Sequence, residues 1–220
     1  SGRGGRLTAW LEAVGATEIA VPPLAPDELA ALLDRYGVSA RLANKLHADS
    51  GGNPYLALAL GGALTDRAPR YGRPLPLPQR VHVLISERLA ALPERTRETL
   101  LVASLATRPT VELLLRAGRL EAEHDIRLAA AVGLLVAEDG AIRFTPPAAA
   151  TVIAESAGAA RRAEVHTALA AVVTDAAGRA RHLALASTDP DAQVARSLVT
   201  AAEGARRRGS RGLAAELYLL

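Results

Sequence analysis

Hydrophobic positions recur along most of this chain at helical spacing, in short segments punctuated by Gly and Pro. Residues 7–15 (LTAWLEAVG) predict a short helix closed by Gly15. Residues 17–21 (TEIAV), alternating and β-branched, predict a strand stopped by Pro22 and Pro23. Pro26 suits a first helical turn. Asp27 and Glu28 suit the positive end of the helix that runs on through Leu29, Leu32 and Leu33 to about Gly37. Ser39 is placed to cap a second helix through Leu42 and Leu46. In SGGNP (50–54) two glycines end that helix, Asn53 caps the next and Pro54 takes its first position. Leu56, Leu58 and Leu60 carry this third helix to Gly61-Gly62 or shortly beyond. The segment DRAPRYGRPLPLP (66–78) reads as a linker.

Beyond the linker, apolar spacing predicts helices over about 79–91, from Pro93 through Leu105, from Pro109 to Ala117, and over about 121–132 before Gly133. Two short apolar runs follow, LLVA (134–137) and AIRF (141–144), joined by Glu138-Asp139-Gly140. Asp-Gly between apolar runs is a strong hairpin signal, and helices followed by a hairpin is the winged-helix order. The remainder is again helical, over 146–155, 159–174, 178–187, 190–208 and from 211 onward, with Asp189 as N-cap and Pro190 in the first turn of the fourth of these. Helix pairs joined by short turns suggest a solenoid. The chain divides at 1–66, a linker at 67–74, 75–145 and 146–220.

Composition sharpens this into a mainly α protein. Half the residues are hydrophobic, yet only 3% are aromatic; Ala, Leu and Val supply the apolar surface, so helix contacts should be thin and Ala-rich. There is no Cys, which excludes disulfides, thiolate catalysis and Cys-based zinc sites. There is no Met either, so we expect a processed chain or a piece of a longer one. No apolar run is long enough to span a membrane, and no signal peptide is evident; a cytoplasmic protein is expected. The net charge of +3 is unevenly spread: residues 76–146 balance nine basic against nine acidic side chains, and the excess lies in the last quarter, around Arg206-Arg207-Arg208.

Candidate chemistry is sparse. His47, His82, His124, His166 and His182 show no two at metal-ligand spacing on one helix, and there is no H-E-x-x-H. No G-x-S-x-G elbow occurs, and nothing places a base beside Ser50. Gly-Lys occurs nowhere, so there is no phosphate loop. An enzyme is not expected. A helix reading DNA needs Arg or Lys, whereas residues 121–132 set Glu121, Glu123 and Asp125 against Arg127 on the positions expected to face solvent.

PLAPDELAALL (23–33), SGGNPYLALAL (50–60), PLPLPQRVHVLISERLAALPERTRETLLVASL (74–105), AVGLLVAEDGAIRF (131–144), RRAEVHTALA (161–170), RARHLALA (179–186) and AAEGARRRGSRGLAAELY (201–218) follow one another in an order that resembles the large ATP-binding LuxR-type transcriptional regulators, the MalT-like signal-transducing ATPases. The resemblance covers nearly the whole chain. It implies a P-loop ATPase core before this stretch, then a helical lid over 1–66, a winged helix over 75–145 and the start of a tetratricopeptide-like (TPR-like) array from 146. A DNA-binding domain would follow. It further implies ATP/ADP as the cofactor of the intact parent, with none expected in this fragment. The partners would be the rest of the regulator and a small-molecule or protein inducer. DNA would be met only through the missing domain, no membrane is involved, and an oligomer forms on activation.

By the same resemblance, Gly52, Asn53 and Pro54 match a lid element whose proline packs on the adenine. Glycine lets the backbone come close, and proline offers a rigid apolar surface. Read from the residues alone, the same four-residue GGNP is also a good helix junction. Thr145-Pro146 occupies the place of a His-Pro pair whose histidine contacts the nucleotide phosphate in relatives. Thr145 departs from that pattern: its hydroxyl donates one hydrogen bond but carries no charge. A helix N-cap is the simpler reading of Thr145. The function expected is conformational coupling in an ATP-dependent, signal-responsive regulator. The alternatives are a helical protein-interaction scaffold with no nucleotide role, and a winged-helix DNA-binding protein.

Overall fold

The computed structural model describes residue 15 and residues 21–65 and 79–220. The helix expected over 7–15, nearly all of the strand expected over 17–21, and the linker lie outside these residues. Among the described residues the protein is mainly helical, with one two-stranded antiparallel sheet. No helix among them is long and apolar enough to cross a membrane.

The first three helices are α1 (Pro26–Arg35), α2 (Ala40–Ser50) and α3 (Pro54–Thr65). Pro26 opens α1, and the Glu28 carboxylate accepts the Ala25 N–H at 2.8 Å, satisfying an amide the helix cannot. Leu29 and Leu33, one turn apart, bury one face of α1 against Val38, Ala43, Leu46, Leu56 and Leu60. Ser39 is the N-cap residue of α2 by position, but its side chain makes no capping bond.

A second, larger core begins with α4 (Gln79–Ala90) and α5 (Glu94–Leu105) and continues through α6 (Val111–Arg116) and α7 (Ala122–Ala131). Strands β1 (Leu135–Glu138) and β2 (Ala141–Phe144) pair with Leu135 opposite Phe144 and Glu138 opposite Ala141. The two-residue turn takes Asp139 to φ 50° and Gly140 to φ 77°, the left-handed pair such a hairpin needs. A single bridge between Thr110 and Ala141, with Val111 N–H donating to Gly140 O at 3.0 Å, ties the entry of α6 to the hairpin. The element order is that of a winged helix. Thr110 caps α6 through its hydroxyl, which accepts the Leu113 N–H at 3.0 Å.

This core does not stop at β2. Ala149, Val152 and Ile153 of α8 (Ala149–Glu155) and Val165 and Leu169 of α9 (Ala159–Val172) are buried in it. Arg161 on α9 is hydrogen-bonded to Glu98 on α5, with Nε at 3.1 Å. Val81 on α4 packs against both the first and the second core.

The last helices, α10 (Ala176–Ala186), α11 (Ala192–Arg207) and α12 (Arg211–Tyr218), share a small core of Ala180, Leu198, Ala202 and Leu217. These are the thin, Ala-rich contacts the composition implies. The N-cap of α11 is Asp191 rather than the expected Asp189. The Asp191 carboxylate accepts the N–H groups of Gln193 at 2.6 Å and Val194 at 3.2 Å, so Pro190 lies outside the helix.

Candidate functional site

The Gly-Gly-Asn-Pro turn is built by helix-terminus physics. Gly51 closes α2 in the left-handed conformation, φ 60°, and its N–H donates to His47 O. Gly52, φ 75°, donates to the same carbonyl at 3.2 Å. The Asn53 side-chain Oδ1 accepts the Leu56 N–H at 3.1 Å, which makes Asn53 the N-cap of α3, and Pro54 supplies its first residue.

The turn is also fastened to the segment before α1. Leu24 N–H donates to Gly52 O at 3.0 Å, and His47 Nε2 lies 2.9 Å from Leu24 O, a distance at which it donates. A Cβ on Gly52 would sit 2.6 Å from Leu24 O and 2.8 Å from Pro23 Cβ, closer than any side chain tolerates. Gly52 is therefore buried and structurally obligatory. Asn53, Pro54 and Tyr55 remain exposed.

The second sequence candidate comes to the same surface. A Cβ on Gly51 would lie 3.2 Å from Pro147 Cδ, so the first turn of the candidate element faces the loop that leaves β2. Thr145, in that loop, is exposed, and its N–H donates to Leu134 O at 2.9 Å. The Thr145–Pro146 peptide is cis. Thr145 is not a helix N-cap: α8 starts only at Ala149, after Ala148. Among the described residues the Thr145 hydroxyl has no hydrogen-bond partner. Gly52, Asn53, Pro54 and Thr145 thus belong to two loops in contact through Gly51 and Pro147.

Two polar features escape the linear reading. Asp125, expected on the exposed face of α7, is 1% exposed. It accepts hydrogen bonds from Thr96 Oγ1 at 2.8 Å and Thr99 Oγ1 at 2.7 Å; Arg95 Nη2 stands at 3.4 Å, while Arg95 Nη1 pairs with Glu121 at 2.5 Å. Asp125 turns inward because it precedes the buried Ile126 and shares its inward stripe, where α5 presents two hydroxyls one turn apart. The exposed polar side chains here are Glu121, the N-cap of α7, and Glu123, His124 and Arg127 within it.

The second feature is His166 on α9 and His182 on α10, both buried, with their Nδ1 atoms 2.9 Å apart. One ring must donate and the other accept, so the pair is compatible with two neutral imidazoles sharing one Nδ1 proton. Burial pushes both down to about 4. His182, Arg181 and Arg162 add to the effect on His166, and Arg181 to that on His182, partly opposed there by Asp175. The folded values lie below the ordinary 6.5, so between pH 6.5 and about 4 the unfolded chain takes up protons the folded chain refuses. Stability is full above pH 6.5 and falls as pH is lowered through that window. Thermal unfolding followed across it should show this fall, and His166→Phe, which removes one of the two sites, should reduce its steepness by about half. Their spacing in sequence carries no one-helix signal; only the packing of α9 on α10 reveals them.

No group of three His, Asp or Glu able to hold a metal occurs among the described residues. The chain matches no family model, and no curated protein and no solved structure is significantly similar to it.

Proposed function

We propose that this chain is the conformational-coupling region of a longer ATP-dependent, signal-responsive transcriptional regulator of the LuxR type, cytoplasmic, with its nucleotide core and DNA-binding domain encoded outside these residues. The observation that carries the proposal is the approach of Gly51 to Pro147. The turn proposed to report on adenine and the loop proposed to report on phosphate share one surface, with Asn53, Pro54 and Thr145 open to a ligand. A DNA-reading winged helix is less well supported, since α7 presents Glu121 and Glu123 beside Arg127.

In this reading ATP or ADP is held by the longer protein, and inducer binding at the helical array is relayed through α9 and the winged helix to the nucleotide contact. The rigid parts for such a relay are the α5–α9 core and the Arg161–Glu98 pair. The test is the longer reading frame and its protein. A G-x-x-x-x-G-K-[ST] loop is expected before residue 1. ADP titration of the full-length protein should show Pro54→Ala weakening affinity by about tenfold, with circular dichroism unchanged. Absence of the loop, or unaltered ADP affinity in Pro54→Ala, overturns the proposal.

A further inference from the structure

We propose that the groove between α10 and α11 binds an elongated, phosphate-bearing small molecule. The groove has a volume of about 790 Å³, the size range of small-molecule sites. Its walls carry Arg179, Arg196, Arg207 and Arg208, and its floor is small and apolar, with Leu183 and Gly204.

The helices that bear them explain only half of this charge. Arginines at the C-terminal end of α11 suit the negative end of that helix, which accounts for Arg207 and Arg208. Arg179 is the fourth residue of α10, at its positive end, where a cation is disfavoured, and Arg196 is the fifth of α11, out of reach of that helix's negative end. Neither has a carboxylate partner among the described residues, and neither has Arg208. The acidic wall residue Asp175 is already engaged in accepting the Gly178 N–H at 2.6 Å. At the other end, a Cβ on Gly204 would lie 3.4 Å from Arg208 Nη1 and 3.9 Å from Arg207 Nη2, so two guanidiniums gather over the one lining position with no side chain. Planar guanidinium forks match phosphate oxygens. The span from Arg196 to Arg208 along α11 calls for an extended ligand.

The inference stands apart from the nucleotide reading and survives or fails separately. The probe is inorganic tripolyphosphate, titrated calorimetrically into the 220-residue protein, with a 20-base-pair DNA duplex as competitor. Binding is expected, weakened about tenfold or more by the double substitution Arg196→Ala/Arg208→Ala. Arg206→Ala/Arg211→Ala removes the same charge outside the groove and should leave affinity unchanged. Gly204→Leu fills the floor without altering charge, and leucine favours the helix over glycine, so it should abolish binding while the fold is kept. No heat of binding, equal loss in both double variants, or full binding in Gly204→Leu overturns the proposal. Displacement of tripolyphosphate by duplex DNA with a steep salt dependence also overturns it, in favour of a nucleic-acid surface.

Discussion

Gly52→Ala is expected to destabilise the first three helices by about 3 kcal/mol. The left-handed φ of 75° costs a non-glycine residue on the order of 1 kcal/mol. The added methyl then meets Leu24 O at 2.6 Å and Pro23 Cβ at 2.8 Å. Neither is the mobile end of a side chain, so the Leu24–Gly52 hydrogen bond must stretch or the turn must move, at roughly 1–3 kcal/mol for forced overpacking. The loss should be local. Native-state hydrogen exchange should show amides of α2 and α3 opening more readily, while those of α5 and α9, in the other core, keep their protection. Gly51→Ala is the matched comparison. It has a similar φ, but its only near neighbour among the described residues is Pro147, with Cδ at 3.2 Å, so about 1 kcal/mol is expected. Equal effects at the two glycines would show that backbone conformation, not the clasp on Leu24, sets the requirement.

Much of the fold was legible because it rests on local chemistry. Asp139-Gly140 between apolar runs specified the hairpin, although Glu138, expected in the connection, belongs to β1, and Asn53-Pro54 specified the start of α3, because turn and cap conformations are set by the residues that adopt them. Periodicity located the helices for the same reason. Errors arose where two local solutions competed. Asp189-Pro190 read as a helix start, but the cap is Asp191, whose carboxylate lies nearer the free amides. The extent of the second core was not legible either: α8 and α9 join it through Ile153 and Leu169, contacts that depend on distant α5.

The candidate site was legible in its parts but not in its assembly. Gly52 and Thr145 are 93 positions apart, and only packing places their loops side by side. The buried polar groups were the least visible. A charged residue on a helix is read as solvated by default, and Asp125 reverses that because its partners, Thr96 and Thr99, come from another helix. His166 and His182 likewise acquire their chemistry from the α9–α10 interface. Tertiary pairing of polar groups leaves almost no trace in the periodicity of one helix.

Asp125→Ala should be among the most damaging single changes in the second core, at about 3–4 kcal/mol. The carboxylate is sealed from water, and it gathers two hydroxyl donors and a guanidinium that joins α5 to α7. Its removal strands the buried Thr96 hydroxyl, whose only acceptor it is among the described residues. Thr99 is less exposed to the loss, since its hydroxyl also reaches Arg95 O at 3.2 Å. Arg95 keeps Glu121 and lies largely in solvent, so its contribution is small. Asp125→Asn retains an oxygen for one threonine but turns an N–H₂ toward the other, and about half the loss is expected. An interaction is expected as well as a loss. With Thr96→Val already in place, Asp125→Ala should cost at least 1 kcal/mol less, because no buried hydroxyl is then left without a partner. Urea unfolding followed by far-ultraviolet circular dichroism measures all four states of that cycle. Strict additivity would mean that Asp125 stabilises the core by some route other than these hydrogen bonds, and the α5–α7 contact would then rest on its apolar side chains, Leu100 and Ile126 foremost.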